Sequence, residues 1–372
     1  MMKKVDRKLI LENGTELYGS SFGAVKDVVL ELVFNTSMAG YQEILSDPSY
    51  TGQAIVLTYP VIGNYGMSNE DYESQRPTAG ALIVRDYNDE PSSFRSDESL
   101  GSVMKRYGIP GISQTDTRKL TRIIREYGSC RVFLTSADTK KDEGLEMIHR
   151  TGLSHDTVAR VSTKKKYLFG SEELKYHVAA IDCGMKLNIL RTFNRHGCRV
   201  TVLPYDTTAE EIKKLSPDGI FISNGPGDPA DVGPVIETIK KLKGSLPMFG
   251  ICLGHQLIGL ACGAETYKLK FGHRGGNHPV MDTETGRIEI TSQNHSYAVD
   301  AKSIAKTGLE ITHVNLLDDT VEGMCCKKDR VFSVQYHPES APGPCDSEYL
   351  FDRFTGLMEE SSFIQRKDAE SV

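Results

Sequence analysis

Several features are missing from this 372-residue chain, and each absence closes off a class of function. None of its eight cysteines stands in a C-x-x-C pair, so a zinc site has no ligand framework, and no metal is expected. No apolar run approaches the roughly 18 residues that a membrane span needs. No G-x-x-x-x-G-K-S/T segment occurs, which removes the P-loop route to nucleotide phosphates. Positive charge is not in excess. The formal net charge is −6, so nucleic acid is set aside as a partner. The N-terminal "MMKKVDRKLILENG" has a basic start but neither an apolar core nor a small-residue cleavage site. It reads as mature protein in the cytoplasm, where most cysteines stay reduced and serve as small buried hydrophobes.

What is present is an ordinary soluble-enzyme composition, 39% hydrophobic and 25% charged. The length predicts two domains, at about 150 residues each. In the first, "RKLILENGTELYG" reads as a hairpin around Asn13-Gly14, and "VVLELVF", "QAIVLTY" and "GALIVRDY" read as strands. "TDTRKLTRIIREYGS" reads as a helix with Asp116 as N-cap and Gly128 as stop; Leu120, Ile123, Ile124 and Tyr127 fall on one face. "STKKKYLFGSEELKYH" is polar, carries a lysine run and shows no clear period. It predicts a connection, with an N-terminal mixed α/β domain over 1–155, a linker over 156–176 and a second domain over 177–365. From "HVAAID" to "HQLIGLACG", short apolar strands alternate with amphipathic helices. That rhythm predicts βαβ units and a doubly wound, mostly parallel sheet.

In such a sheet, ligands bind outside the carboxyl ends of the strands. Cys252 follows the strand "LPMFG" there, in the frame Gly250-Ile251-Cys252-Leu253-Gly254. This is the G-x-nucleophile-x-G form of a nucleophile elbow, with sulfur as the nucleophile. Flanking glycines relieve crowding, and the helix that follows directs free N–H groups and partial positive charge at the sulfur. A cysteine nucleophile needs a base. His337, in "FSVQYHPES", ends an alternating strand, and Glu339 two residues on would lie on the same side of an extended segment. Glu339 is thereby placed to accept a hydrogen bond from one imidazole nitrogen while the other faces sulfur. In "FISNGPGDP", the glycines of Asn224-Gly225-Pro226-Gly227 can bring backbone N–H groups close to a ligand. One such N–H, with that of Leu253, would form an oxyanion hole.

Taken in order, "SNGPGDP", "FGICLGHQ" and "HPE" resemble a class I, triad-type glutamine amidotransferase domain. "NTSMAGYQEILSDPSYTGQ", "TDTRKLTRIIRE", "KFGHRGGNHPV" and "QNHSYAVD" extend the resemblance to the small-chain family of carbamoyl-phosphate synthetases, from about residue 8 to about 358. The resemblance implies Cys252 as nucleophile toward the glutamine side-chain amide, His337 as base and acid, and Glu339 as its orienting partner. It places Gly225 and Leu253 at the oxyanion, and Gly227, Gln256, Asn294, Ser296 and Tyr297 along the glutamine pocket, with Ser49 closing it. Two departures stand out. Ser296 replaces the family's glycine in "QNHS", which would weaken glutamine binding if the backbone there needs positive φ or very close approach to glutamine. Leu187 in "KLNILR" replaces a charged residue and is expected to touch packing or the subunit surface, not the triad.

The resemblance further implies that glutamine becomes glutamate plus ammonia through a thioester on Cys252. A large synthetase chain would receive the ammonia in a hetero-oligomer and supply the ATP, bicarbonate and magnesium chemistry; this chain needs no cofactor. Carbamoyl phosphate would serve arginine and pyrimidine biosynthesis. A stand-alone cysteine hydrolase of γ-glutamyl bonds is the alternative that the residues leave open.

Overall fold

The computed structural model describes residues 5–370, which separate into two compact units. One comprises the chain up to His155 together with Lys270–Gly275; the other comprises Asp156–Leu269 and the chain from Gly276 onward.

The first unit is a closed seven-stranded barrel. Its strands are β1 (Arg7–Leu11), β2 (Glu16–Gly23), β3 (Val28–Asn35), β4 (Gln53–Leu57), β5 (Ala81–Ile83), β6 (Pro110–Ser113) and β7 (Cys130–Ser136). They follow the order β1-β2-β6-β5-β4-β3-β7, and β7 pairs antiparallel with β1 to close the ring. The β1–β2 hairpin forms as its residues dictate. Gly14 takes φ +79°, and the Asn13 side chain accepts the Thr15 N–H at 3.0 Å. Alternate residues of the strands feed two apolar clusters, as a period of two requires. Leu32, Phe34 and Val56 join one cluster with Leu120 and Ile124 of the helix Thr117–Tyr127. Val33, Ile55 and Leu82 join the other, with the helices Tyr41–Ser46 and Leu100–Arg106. Asp116 caps the helix Thr117–Tyr127 through the Lys119 N–H at 2.8 Å, and Gly128 ends it at φ +97°. Tyr127 departs from expectation: it is 69% exposed, because the last turn extends beyond the cluster that holds Leu120 and Ile124.

The second unit carries a ten-stranded sheet. In chain order its strands are β8 (Tyr167–Phe169), β9 (Tyr176–Asp182), β10 (Cys198–Pro204), β11 (Gly219–Ile222), β12 (Met248–Ile251), β13 (Thr266–Asp282), β14 (Ile288–Val299), β15 (Glu310–Asn315), β16 (Val321–Cys326) and β17 (Val331–Val334). The spatial order is β8-β10-β9-β11-β12-β17-β16-β15-β13-β14. The run β10-β9-β11-β12-β17 is parallel. Val178 and Ala180 of β9 face one apolar cluster, while Ala179 and Ile181 face another. The helices Leu187–Arg195 and Tyr349–Glu370 cover the first face; Gly233–Leu242 and Leu253–Ala261 cover the second. The doubly wound expectation is met. The chain steps from β9 outward to β10, then returns to β11 on the other flank. That reversal opens a crevice at the carboxyl ends of β9 and β11.

Residues 156–176 are not a free linker. Val158, in the helix Thr157–Val161, joins the second unit's core, and β8 pairs antiparallel with β10, Leu168 opposite Thr201. A three-residue edge strand is too short to display a period and tolerates polar neighbours, so the sequence shows no sign of it. All eight cysteines are free thiols. Among the described residues no helix is long and apolar enough to cross a membrane.

Phe193 anchors the first face. Its ring meets Phe221 and Phe351 edge-on, with centroids 4.9 and 5.0 Å away, and it is fully buried. Phe193→Ala is expected to cost about 3–5 kcal/mol through the cavity it leaves, read as a lower urea midpoint at unchanged slope.

Candidate active site

The site assembles from five segments of the second unit: the loop after β9, the loop after β11, the bend after β12, the second half of β14 and the turn after β17. Each brings a backbone or side-chain group to the carboxyl edge of the parallel run.

Cys252 occupies the bend after β12 at φ 54°, ψ −104°. An L-residue rarely adopts such a conformation, which costs on the order of 1–3 kcal/mol. The surroundings enforce it. The Cys252 N–H donates to the Val334 carbonyl at 2.9 Å, extending the sheet register past the strand end. The helix Leu253–Ala261 begins at once, and its first carbonyl bond runs from the Gln256 N–H to Cys252 O at 3.2 Å. Both flanking glycines are obligatory. A Cβ on Gly254 would lie 2.1 Å from Ile222 O, and one on Gly250 would lie 2.6 Å from Ile258 Cδ1 and 2.9 Å from Gly254 backbone. The Cys252 Sγ donates a weak bond to Asn294 O at 3.5 Å, so Asn294 lies against the sulfur.

The His337 Nδ1 is 2.7 Å from Glu339 Oε1, and both side chains are buried. The expected pair forms, though not by the expected geometry. β17 ends at Val334, and His337-Pro338-Glu339-Ser340 is a turn closed by the Ser340 N–H on His337 O at 3.1 Å. Pro338, pre-set for the second position of a turn, folds the carboxylate back onto the ring. The same Oε1 accepts from Lys186 Nζ at 2.8 Å, and Lys186 Nζ also donates to Ser340 O at 2.5 Å. The Asn188 amide donates to Glu339 O at 2.5 Å. Lys186 is itself set by its N–H on the Asn224 side-chain oxygen at 3.2 Å.

This pairing governs the charges. Burial alone would raise the Glu339 pKa, but the neighbouring Lys186 and His337 cations outweigh it and hold the carboxylate below its usual range. Burial would likewise lower His337; the Glu339 carboxylate and then Cys252 outweigh it and lift the imidazole to about 10. His337 Nε2 has no hydrogen-bond partner and is the nitrogen left for the sulfur.

The other expected residues fall as follows. Gly225 and Leu253 are neighbours, since a Cβ on Gly225 would stand 2.9 Å from Leu253 Cδ2 and 2.2 Å from Cys183 O. Gly227 takes φ +93° against the Thr157 hydroxyl. Gln256 Nε2 donates to Tyr297 O at 2.8 Å and to Gln335 Oε1 at 3.0 Å. A backbone carbonyl only accepts, so this fixes the amide orientation and leaves Oε1 as the atom Gln256 offers a ligand. Ser296 lies in β14 and outside the left-handed region, so its side chain imposes no backbone strain. Leu187 packs against the core cluster of its helix. Ser49 belongs to the first unit, in the short turn Pro48–Tyr50, where its N–H donates to the Asp47 carboxylate at 2.9 Å. Lys186, Asn188 and Gln335 escaped sequence reading. A lysine just past a strand's carboxyl end was the available signal for the first; nothing local marked the other two.

Residues 179–357 match the family model described as glutamine amidotransferase class-I, the class of protein that this sheet and this site define. Residues 9–134 match the model of the carbamoyl-phosphate synthase small chain, CPSase domain. A carbamoyl phosphate synthase small chain of Oceanobacillus iheyensis is 49% identical over 364 residues, covering 98% of each chain. Another, of Staphylococcus haemolyticus, is 50% identical over 95% of this chain and 96% of its own. A protein of Halalkalibacterium halodurans named as the pyrimidine-specific small chain is 51% identical over 95% of this chain and 98% of its own. This chain belongs to the carbamoyl phosphate synthase small-chain family. That membership does not favour the stand-alone hydrolase.

A pH test follows from the shared carboxylate. The lowered pKa of Glu339 contributes stability above its unfolded value of about 4.3, lost as pH falls toward the folded value. The raised pKa of His337 contributes below its unfolded value of about 6.5, lost as pH climbs toward the folded value. Lys186→Met is therefore expected to cost about 3 kcal/mol near neutrality, with the deficit shrinking as Glu339 protonates. Urea midpoints at neutral and acid pH check this; an equal deficit at both would contradict it.

Proposed function

We propose that this chain is the glutamine-hydrolysing subunit of a carbamoyl phosphate synthase, with Cys252 as nucleophile, His337 as proton carrier and Glu339 as orienting carboxylate. The Cys252 sulfur attacks the side-chain amide carbon of glutamine, and the oxygen becomes a tetrahedral oxyanion facing the backbone N–H groups at Gly225 and Leu253. His337 delivers the proton that left the thiol to the amide nitrogen. The C–N bond breaks, ammonia departs and a γ-glutamyl thioester remains. Water then gives a proton to His337 and its oxygen to the acyl carbon. The C–S bond breaks, glutamate leaves and the thiol is restored. Glutamine and water go in; glutamate and ammonia come out. Gly227, Gln256, Asn294, Ser296 and Tyr297 hold the substrate, Gln256 through Oε1, which suits an ammonium donor.

The observation that carries this reading is the strained bend at Cys252 beside a buried imidazole already hydrogen-bonded to a carboxylate at 2.7 Å. Ammonia released in water near pH 7 is mostly protonated and no longer nucleophilic. Direct delivery to a large synthetase chain, which would use ATP, bicarbonate and magnesium, avoids that loss. The complex works in the cytoplasm and its carbamoyl phosphate serves arginine and pyrimidine synthesis; the pyrimidine-specific name of one relative supports the latter.

The test is covalent trapping. A diazo-ketone analogue of glutamine is expected to alkylate Cys252 alone, with excess glutamine protecting it, as mapped by mass spectrometry. Cys252→Ala is expected to lose glutaminase activity by at least about 10³-fold, while ammonia-dependent synthesis by the large chain persists. Labelling scattered over several cysteines without protection, with the large chain bound as well as absent, would overturn the assignment.

A further inference from the structure

We infer that an arginine ridge on the helix Thr117–Tyr127 is the surface by which the first unit docks on an acidic face of the large synthetase chain. The inference rests on the function proposed above. Arg118, Arg122 and Arg125 recur at i, i+4 and i+7, so they share one face over about 10 Å of helix axis. All three are exposed. Among the described residues none of their side chains has a hydrogen bond or an ion pair. Elsewhere in the first unit Arg95 meets Glu70 and Asp71 and Arg106 meets Glu98, while Arg76 and Arg85 are exposed without a carboxylate partner among the described residues. What sets the ridge apart is that three such cations share one helix face. Leaving three guanidinium groups unpaired side by side is a cost in self-repulsion that an acidic partner would remove.

The carboxylates nearest the ridge do not neutralise it. Asp116 is committed to the helix cap, accepting the Lys119 N–H at 2.8 Å, and Glu126 interacts with the Tyr127 hydroxyl. Lys119 adds a fourth exposed cation without a side-chain partner. Two clefts flank the ridge. One, of about 370 Å³, is bordered by the hydroxyl residues Thr58, Thr117 and Thr121. The other, of about 600 Å³, is bordered by Asn13 and Thr15. Such a ridge with polar clefts on either side offers forked donors at several points, which suits carboxylates spread over a surface. A single small anion would be spanned by one end of it and caged by nothing, since every cation stands in solvent. The chain's overall charge of −6 argues against a nucleic-acid face. The ridge also lies within residues 9–134, the part of the chain matched by the synthase model rather than by the amidotransferase model.

The experiment measures the dissociation constant of the full-length chain for the purified large chain, at low and at near-physiological salt. The variants carry Arg118→Glu, Arg122→Glu and Arg125→Glu together, or the same three changed to Gln. Wild type is expected to bind more weakly as salt rises. The Glu triple is expected to bind about 100-fold more weakly and the Gln triple about 10-fold, both with a flatter salt dependence. Isolated glutaminase kcat and KM should stay at wild-type values in both, which shows that the fold is intact. Should the Glu triple fail to express folded, the Gln triple decides alone. Wild-type affinity in the folded variants overturns the ridge and leaves the proposed function standing. Failure of the wild type itself to bind the large chain overturns both. Micromolar binding of inorganic phosphate to the ridge, with large-chain affinity unchanged in the variants, assigns it to a small anion and likewise overturns the docking role.

Discussion

One buried carboxylate oxygen organises the carboxyl edge of the second unit's parallel strands. Glu339 Oε1 stands 2.7 Å from His337 Nδ1 and 2.8 Å from Lys186 Nζ, with all three side chains almost wholly excluded from solvent. An ionised group in such a place is tolerable only if opposite charge and hydrogen bonds replace its lost water. Here two cations do so, and in return the carboxylate fixes which nitrogen of the imidazole is engaged and which is left for Cys252. Because Lys186 follows β9 and His337 and Glu339 follow β17, this single contact also ties the two ends of the crevice together. Asn188 reinforces it from the first turn of the next helix.

The backbone imposes a second constraint. Cys252 can hold φ 54° only because the chain is clamped before and after it, by the Val334 carbonyl and by the helix that starts at Leu253. The helix in turn can approach β11 closely only because position 254 has no side chain: the nearest atom to a Cβ there is a carbonyl oxygen 2.1 Å away, which cannot move without breaking the sheet. Gly225 occupies a similar place against the Cys183 carbonyl. Small residues at these points bring three strand ends close enough for one sulfur, one imidazole and two backbone loops to meet.

The division of labour between units follows from the same chemistry. The doubly wound unit is matched by the glutamine amidotransferase class-I model and gathers a buried sulfur, imidazole and carboxylate at one sheet edge. The barrel unit supplies the other part: a fold matched by the synthase small-chain model and an exposed row of guanidinium groups that find no partner among the described residues.

Local rules sufficed for much of this. Asn13-Gly14 and the Asp116–Gly128 brackets are properties of a few adjacent residues, so the hairpin and the helix were legible. The alternation of apolar strands and amphipathic helices after residue 177 defined the doubly wound sheet, and Gly-x-Cys-x-Gly with His-x-Glu pointed to the strained bend and to the imidazole–carboxylate pair, because backbone demands at a bend restrict which residues can stand there. What lay beyond local rules was decided by the tertiary structure. Tyr127 has the right period but nothing to pack on. β8 is too short to carry a pattern, and Lys270–Gly275 clusters with the first unit across more than a hundred residues of chain. Lys186, Asn188 and Gln335 are polar residues whose roles exist only once distant segments meet, 153 residues apart in the case of Lys186 and Glu339. A sequence dictates a turn or a helix face through short-range sterics and periodicity; it declares the partner of a buried charge only through the fold that brings the two together.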